Sequence, residues 1–187
     1  MRGIGGFHLI CDATNDKSVR LLRERKRRQE KPFAVMFRDI AHIKGHADIS
    51  VMEEALLLSP ERPVVLVRKK EGGLSPAIAP GLKSIGAFLP YSPLHHILLG
   101  KLESPVVATS GNLSDEPIVK DNEDAFEKLA AFADYILVHD RPIRRRCDDS
   151  VVKAIGGFPT PLRRSRGYAP LPVRLPFKLR NKVLAAG

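Results

Sequence analysis

The side chains with most chemical potential in this chain are its cations. Lysine and arginine number 31 against 21 acidic residues, a net charge of +10 over 187 residues. Such an excess favours a polyanionic ligand: nucleotide phosphates, RNA or an acidic protein face. The cations are also clustered. Arg20, Arg23, Arg25, Lys26, Arg27, Arg28 and Lys31 form one block, Arg141, Arg144, Arg145 and Arg146 a second, and Arg163, Arg164 and Arg166 a third. A solvated helix face accounts for the first block as readily as a phosphate clamp does. As a clamp, the chain turns at Pro32 so that its cations converge, arginine forks taking phosphate oxygens in pairs and lysine supplying a compact charge. In the second block the arginines stand beside Asp148 and Asp149. That pattern fits an ion-pair network, or a phosphate site in which acids tie the cations in place.

A different kind of site is offered by Thr109-Ser110-Gly111-Asn112-Leu113-Ser114, directly after the apolar run Val106-Val107-Ala108. Small hydroxyl, glycine and amide residues at a strand end present N–H groups and side-chain donors where ligands of α/β folds gather. The same residues are also good turn chemistry anywhere. His8 follows a glycine-rich turn, Gly3-Ile4-Gly5-Gly6, and is a candidate polar group, although a single histidine more often packs and hydrogen-bonds. His95 and His96 are assigned no chemistry. Cys11 and Cys147 have no metal-like spacing and read as reduced thiols. There is no G-x-x-x-x-G-K-[ST] loop and no H-E-x-x-H. Phosphate binding therefore falls to dispersed cations.

The elements that must position these groups alternate. Asn15 or Asp16 caps a helix carrying Val19, Leu22 and the basic block, ended before Pro32. Residues 33–37 read as a strand, and Ser50 caps a helix with Met52, Leu56 and Leu57 inward. Residues 64–67 and 85–89 are strands separated by a Gly/Pro-rich loop, and Pro93 opens a helix. Residues 106–108 form a strand, and residues 121–133 a helix with Ala125, Phe126, Leu129 and Phe132 at helical spacing. Residues 135–138 and 150–154 are further strands. Several strands follow one another with no helix between, which predicts an α/β (α+β) fold built on a mixed sheet with helices on its faces. From Tyr168 onward the chain is proline-rich and reads as an extended linker, and residues 183–187 look like the start of another strand. The 43% apolar share is enough for a core. No apolar run approaches the ~20 residues of a membrane span, and the first residues lack a secretory layout, so a cytoplasmic protein with no membrane partner is expected.

The motifs join when taken in order. Gly3-Ile4-Gly5-Gly6-Phe7-His8-Leu9 comes first, then Arg25-Lys26-Arg27-Arg28 with Lys31-Pro32-Phe33-Ala34-Val35-Met36. Leu89-Pro90-Tyr91-Ser92-Pro93-Leu94-His95-His96 and Thr109-Ser110-Gly111-Asn112-Leu113-Ser114 follow. Arg145-Arg146-Cys147-Asp148-Asp149-Ser150-Val151-Val152 and Arg164-Ser165-Arg166-Gly167-Tyr168-Ala169-Pro170 complete the series. Together they resemble the YrdC-like domain of the hydrogenase maturation carbamoyltransferase HypF over nearly the whole chain. Related threonylcarbamoyl-adenylate synthases usually carry Ser-Ala-Asn at residues 110–112 and Ser-Thr-Val at residues 149–151, and both differences point toward HypF.

The resemblance implies a twisted mixed sheet around a concave basic cavity. There carbamate, derived from carbamoyl phosphate, attacks the α-phosphorus of ATP with Mg²⁺ present. Lys26 and Arg28 match the Lys-x-Arg motif and are the cations expected to bind phosphates and assist catalysis. Ser110 and Asn112 match the Ser-x-Asn motif that holds the nucleotide. Ser150, Arg164 and Arg166 would line the same cavity, the pattern leaving open which arginine of residues 163–166 faces the nucleotide. Arg2, where most relatives have lysine, and His8 would lie near the carbamoyl end. Residues 1–170 would be the YrdC-like domain without its first helix and strand. Residues 171–187 would be a linker and the beginning of a carbamoyl-transfer domain, whose partner in the family is HypE. Two alternatives stand beside this reading: a double-stranded RNA or tRNA-binding module, and a threonylcarbamoyl-AMP synthase.

Overall fold

The computed structural model describes residues 1–112, 116–173, 177, 178, 180 and 181. Leu113 and Ser114 of the Ser-Gly-Asn motif, part of the linker and the strand expected at residues 183–187 lie outside the described residues. The strands are β1 (His8–Asp12), β2 (Ala34–Met36), β3 (Ala47–Asp48), β4 (Val64–Lys69), β5 (Ser84–Phe88), β6 (Val106–Ser110), β7 (Val151–Ile155) and β8 (Phe158–Arg163). The helices are α1 (Asp16–Arg25), α2 (Ile40–His46), α3 (Val51–Leu58), α4 (Pro93–Lys101) and α5 (Asn122–Lys128). The sheet runs β1-β6-β2-β5-β4-β7-β8, with β3 paired to β4. Only β2–β5 and β4–β7 are parallel, so the expected mixed sheet is what forms.

Strand alternation sorts the sheet into two faces. Val35, Val65, Val67, Ile85, Ala87 and Val107 point to one face, where they pack with Val19 and Leu22 of α1, Ile43 of α2 and Leu56 and Leu57 of α3. Met36, Val64, Phe88 and Val106 point to the other, where Leu99 of α4 covers them. The helices start on local chemistry. Asn15 accepts from the Ser18 N–H at 3.1 Å, and Ser50 and Glu53 close a capping box before α3.

Two sequence expectations need correction, and two elements were not expected. Residues 135–138 are not a strand: Tyr135 is 93% exposed, and the segment packs Ile136 and Val138 against a small cluster around Phe7 and Leu129. The helix over residues 121–133 stops at Lys128, and Phe126 faces outward. A helix the pattern did not predict, α2, is capped by Asp39 and buries a single side chain, Ile43, too little for periodicity to reveal. The strand β8 was hidden by Pro159 and Pro161, which an edge strand tolerates because a missing N–H can face solvent. Gly156 and Gly157, both at positive φ, make the tight turn that returns β8 onto β7.

Candidate functional site

A cavity of about 480 Å³ opens on the face that α4 leaves uncovered. Its floor is a row of small residues brought level by register. Ala34 pairs with Gly86 on one side and Ala108 on the other, and Gly86 pairs with Leu66. A Cβ on Gly86 would come within 2.7 Å of Val64, so the hollow depends on that glycine. Arg28, Lys31 and Arg163 line the cavity together with Ser110 and Asn112 from the end of β6. Cys147, Asp148 and Asp149 form the opposite wall.

Arg28 is positioned by the turn that ends α1. Arg27 takes a left-handed conformation (φ 51), and the chain doubles back to Pro32. Arg28 donates from Nε to the Lys31 carbonyl at 3.1 Å and from Nη2 to the Pro32 carbonyl at 2.8 Å, and lies over the Phe33 ring. Burial lowers its pKa, and the nearby charges of Arg23 and Arg163 add to this. That repulsion is the electrostatic sign of cations gathered at one place, where an anion relieves it.

Lys26 stands two residues away but does other work. Its ammonium is buried and donates to the carbonyls of Ser110 (2.6 Å) and Asn112 (2.7 Å) and to Asn112 Oδ1 (2.9 Å). Ser110 Oγ donates to the same Oδ1 at 2.7 Å. Lys26 therefore shapes the Ser-Gly-Asn loop from beneath rather than lining the cavity. Burial, reinforced by Arg28, lowers its pKa to about 8, which still leaves it charged at neutral pH.

The wall at residues 147–149 is seated on the glycine turn. The Cys147 N–H donates to the Gly5 carbonyl at 3.1 Å, and a Cβ on Gly5 would collide with the Cys147 carbonyl. Ser150 is fully buried behind this wall, donating from Oγ to the Arg166 carbonyl and accepting from the Ser165 N–H. Arg166 does not line the cavity either. It donates to Asp149 and to the carbonyls of Glu61 and Arg62, and its guanidinium lies 3.6 Å over the Tyr91 ring. Arg164 is exposed and donates to the carbonyls of Tyr168 and Leu171. Of the arginines in residues 163–166, Arg163 is the one on the cavity.

His8 also lines the cavity, its Nε2 4.0 Å from an Asp149 oxygen and 3.4 Å from the Tyr91 hydroxyl. Burial lowers its pKa despite the pull of Asp149, so the ring is held neutral, able to accept or donate at Nε2. Arg2 is not here. It is buried on the far side of the glycine turn, bonded to Asn122 and the His139 carbonyl. The cavity thus brings together Arg28, Ser110, Asn112 and His8, puts Lys26 and Ser150 in the layer behind it, and leaves out Arg2, Arg164 and Arg166.

Sequence reasoning passed over Tyr91 and Asp149 as a pair, and the small floor residues. Only the register reveals the floor. The Leu-Pro-Tyr and Asp-Asp motifs were visible, but not that Arg166 would join them. Among the described residues no cluster of three or more His, Cys, Asp or Glu could hold a metal, and no helix is long and apolar enough to cross a membrane.

Residues 1–165 match the family model for Sua5, YciO and YrdC, described as telomere recombination. The chain belongs to this family. It is 51% identical over 182 residues to carbamoyltransferase HypF of Rhizobium leguminosarum bv. viciae, a match that covers 94% of this chain and 24% of that protein. Against HypF of Synechocystis sp. it is 50% identical over 188 residues, covering 100% of this chain and 24% of the relative. The chain therefore spans about a quarter of the length of these relatives. Among solved structures, full-length HypF in a phosphate- and nucleotide-bound form superposes with a TM-score of 0.88 at 50% identity, over 90% of this chain and 22% of that one. Sua5 of P. abyssi complexed with L-threonine superposes at 0.77 over 88% of this chain and 49% of that one, but at 19% identity shares the fold alone. This YrdC-like domain is thus of the HypF kind.

Proposed function

We propose that this domain forms carbamoyl-adenylate from ATP and carbamate, the activated group that a HypF protein passes on to HypE in hydrogenase maturation. The observation that carries the reading is the convergence of Arg28, Lys31 and Arg163 on one hollow with Ser110 and Asn112. A carbamate oxygen attacks the α-phosphorus, the bond from that phosphorus to the bridging oxygen of the β-phosphate breaks, and pyrophosphate leaves with the electron pair. Negative charge builds on the transferred and departing phosphates, and cations fixed beforehand lower that barrier without a covalent nucleophile. Burial, with the charges of Arg23 and Arg163 beside it, lowers the pKa of Arg28, and a bound polyanion offsets both effects. His8, neutral and facing the cavity from the Asp149 side, suits the uncharged amide end of carbamate.

The residues present fit Mg²⁺ entering with the triphosphate rather than held by the protein. Asp149 is committed to Arg166, and Asp148 is the cavity carboxylate without an ion pair among the described residues. Mg²⁺ of this kind is bound chiefly by phosphate oxygens and shields their charge. The bound nucleotide in the similar HypF structure supports nucleotide binding within that protein. No observation favours the double-stranded RNA reading.

Pyrophosphate release in the presence of ATP and carbamate tests the proposal. Release that needs carbamate and not threonine is expected. A requirement for threonine would move the domain to threonylcarbamoyl-adenylate synthesis, and absence of ATP binding would end the adenylating reading.

A further inference from the structure

A second cavity, of about 640 Å³, lies on the other side of the glycine turn and shares no lining residue with the first. Arg2, Ile4, Leu94, Ile143, Arg144 and Arg145 line it, and Arg141 and Asp140 stand at the same hollow. We infer that this cavity is an anion site for a small phosphorylated molecule, distinct from the nucleotide cavity and independent of the function proposed above.

The charge balance comes first. Four guanidiniums face one carboxylate. Arg141, Arg144 and Arg145 make no hydrogen bond or ion pair among the described residues, in contrast to Arg25, Arg146 and Arg166, which are each tied to a carbonyl or a carboxylate. Like charges collected at one concavity repel, and a bound anion removes that penalty. Arg2 is 5% exposed and anchored through Nη1, while its Nε, and Nδ1 of the neighbouring His139, are buried with no hydrogen-bond partner among the described residues. The wall thus holds polar groups whose hydrogen-bonding capacity the described protein does not use. Ser92, Pro93 and Leu94 bring the N-terminal end of α4 to the same hollow, adding the partial positive charge of a nine-residue helix.

The chemistry of the ligand follows from the groups. Several planar forks and a helix N-terminus match the many oxygens of a phosphate, whereas a single carboxylate occupies one fork. The volume is within the range of small-molecule sites, roughly 300–1,000 Å³. Ile4, Pro93, Leu94, Pro142 and Ile143 offer an apolar wall to the rest of a phosphomonoester or nucleotide.

Titration of the ¹⁵N-labelled 187-residue chain with inorganic pyrophosphate, followed by amide shifts, tests the site. Saturable shifts at Ile4, Leu94 and Ile143 are expected. The double variant Arg144→Ala/Arg145→Ala, both exposed and therefore compatible with folding, should weaken binding at those amides at least about tenfold. Arg28→Ala should leave it within about twofold, because Arg28 belongs to the other cavity. Citrate at matched charge should bind there several-fold more weakly. Shifts that survive the double variant, or a citrate response equal to that of pyrophosphate, would overturn the assignment. So would the absence of saturable shifts at these amides.

Discussion

Two positions separate Lys26 from Arg28, and the left-handed turn at Arg27 places them in different layers. Their alanine variants should therefore fail differently. Lys26→Ala strips the donor from two carbonyls and Asn112 Oδ1, and should cost about 2–3 kcal/mol of stability in urea unfolding. Arg28→Ala should change stability by less than about 1 kcal/mol yet weaken ATP binding more than about tenfold by calorimetry. Equal effects of the two on stability would refute the division. His95 is the second residue with a clear consequence. Burial lowers its pKa to about 3, and neither ring nitrogen has a hydrogen-bond partner among the described residues. With the folded value below the ordinary 6.5, its contribution to stability is complete above that pH and is lost as pH falls toward 3. At pH ~4 the loss is about 3 kcal/mol. His95→Phe should flatten the acid limb of a Tm-against-pH profile, and an unchanged limb would show that other groups control it.

At the scale of elements, the cavity wall depends on a glycine turn lying against residues 147–149. Gly5→Ala should destabilise the chain by about 2 kcal/mol or more and also lower nucleotide affinity, because the Cβ displaces the Cys147 backbone. Gly45→Ala is the matched control. It lies within α2 with nothing near its Cβ, and should be neutral or stabilising by about 0.5–1 kcal/mol. Thermal melts of both variants, with and without ATP, check the pair. Elements with strong local signals were legible: Asn15 and Ser50 as caps, Pro93 as a helix start, and the valine runs of β4 and β6. Those that depend on tertiary support were not. The apolar run at residues 135–138 has strand composition but finds no ladder, and β8 has two prolines yet is paired because β7 turns back on two glycines.

Over the whole molecule, cations line two separate hollows rather than one. ATP binding to the first should weaken roughly tenfold between ~50 mM and ~500 mM salt, as expected for several partly exposed cations within a Debye length of one another. A salt-insensitive affinity would point to a site held by apolar contacts instead. The motifs by themselves determined the family likeness and the mixed α/β fold, because glycine turns, caps and a Ser-Gly-Asn strand end are local features of the chain. Only the tertiary structure decided which cations meet. It set Arg163 beside Arg28, drew Lys26 beneath Asn112, turned Arg166 onto Tyr91 and carried Arg2 to another hollow. Those choices rest on strand register and on contacts between segments far apart in the chain, 86 residues for Lys26 and Asn112, and such separations leave no trace in local spacing.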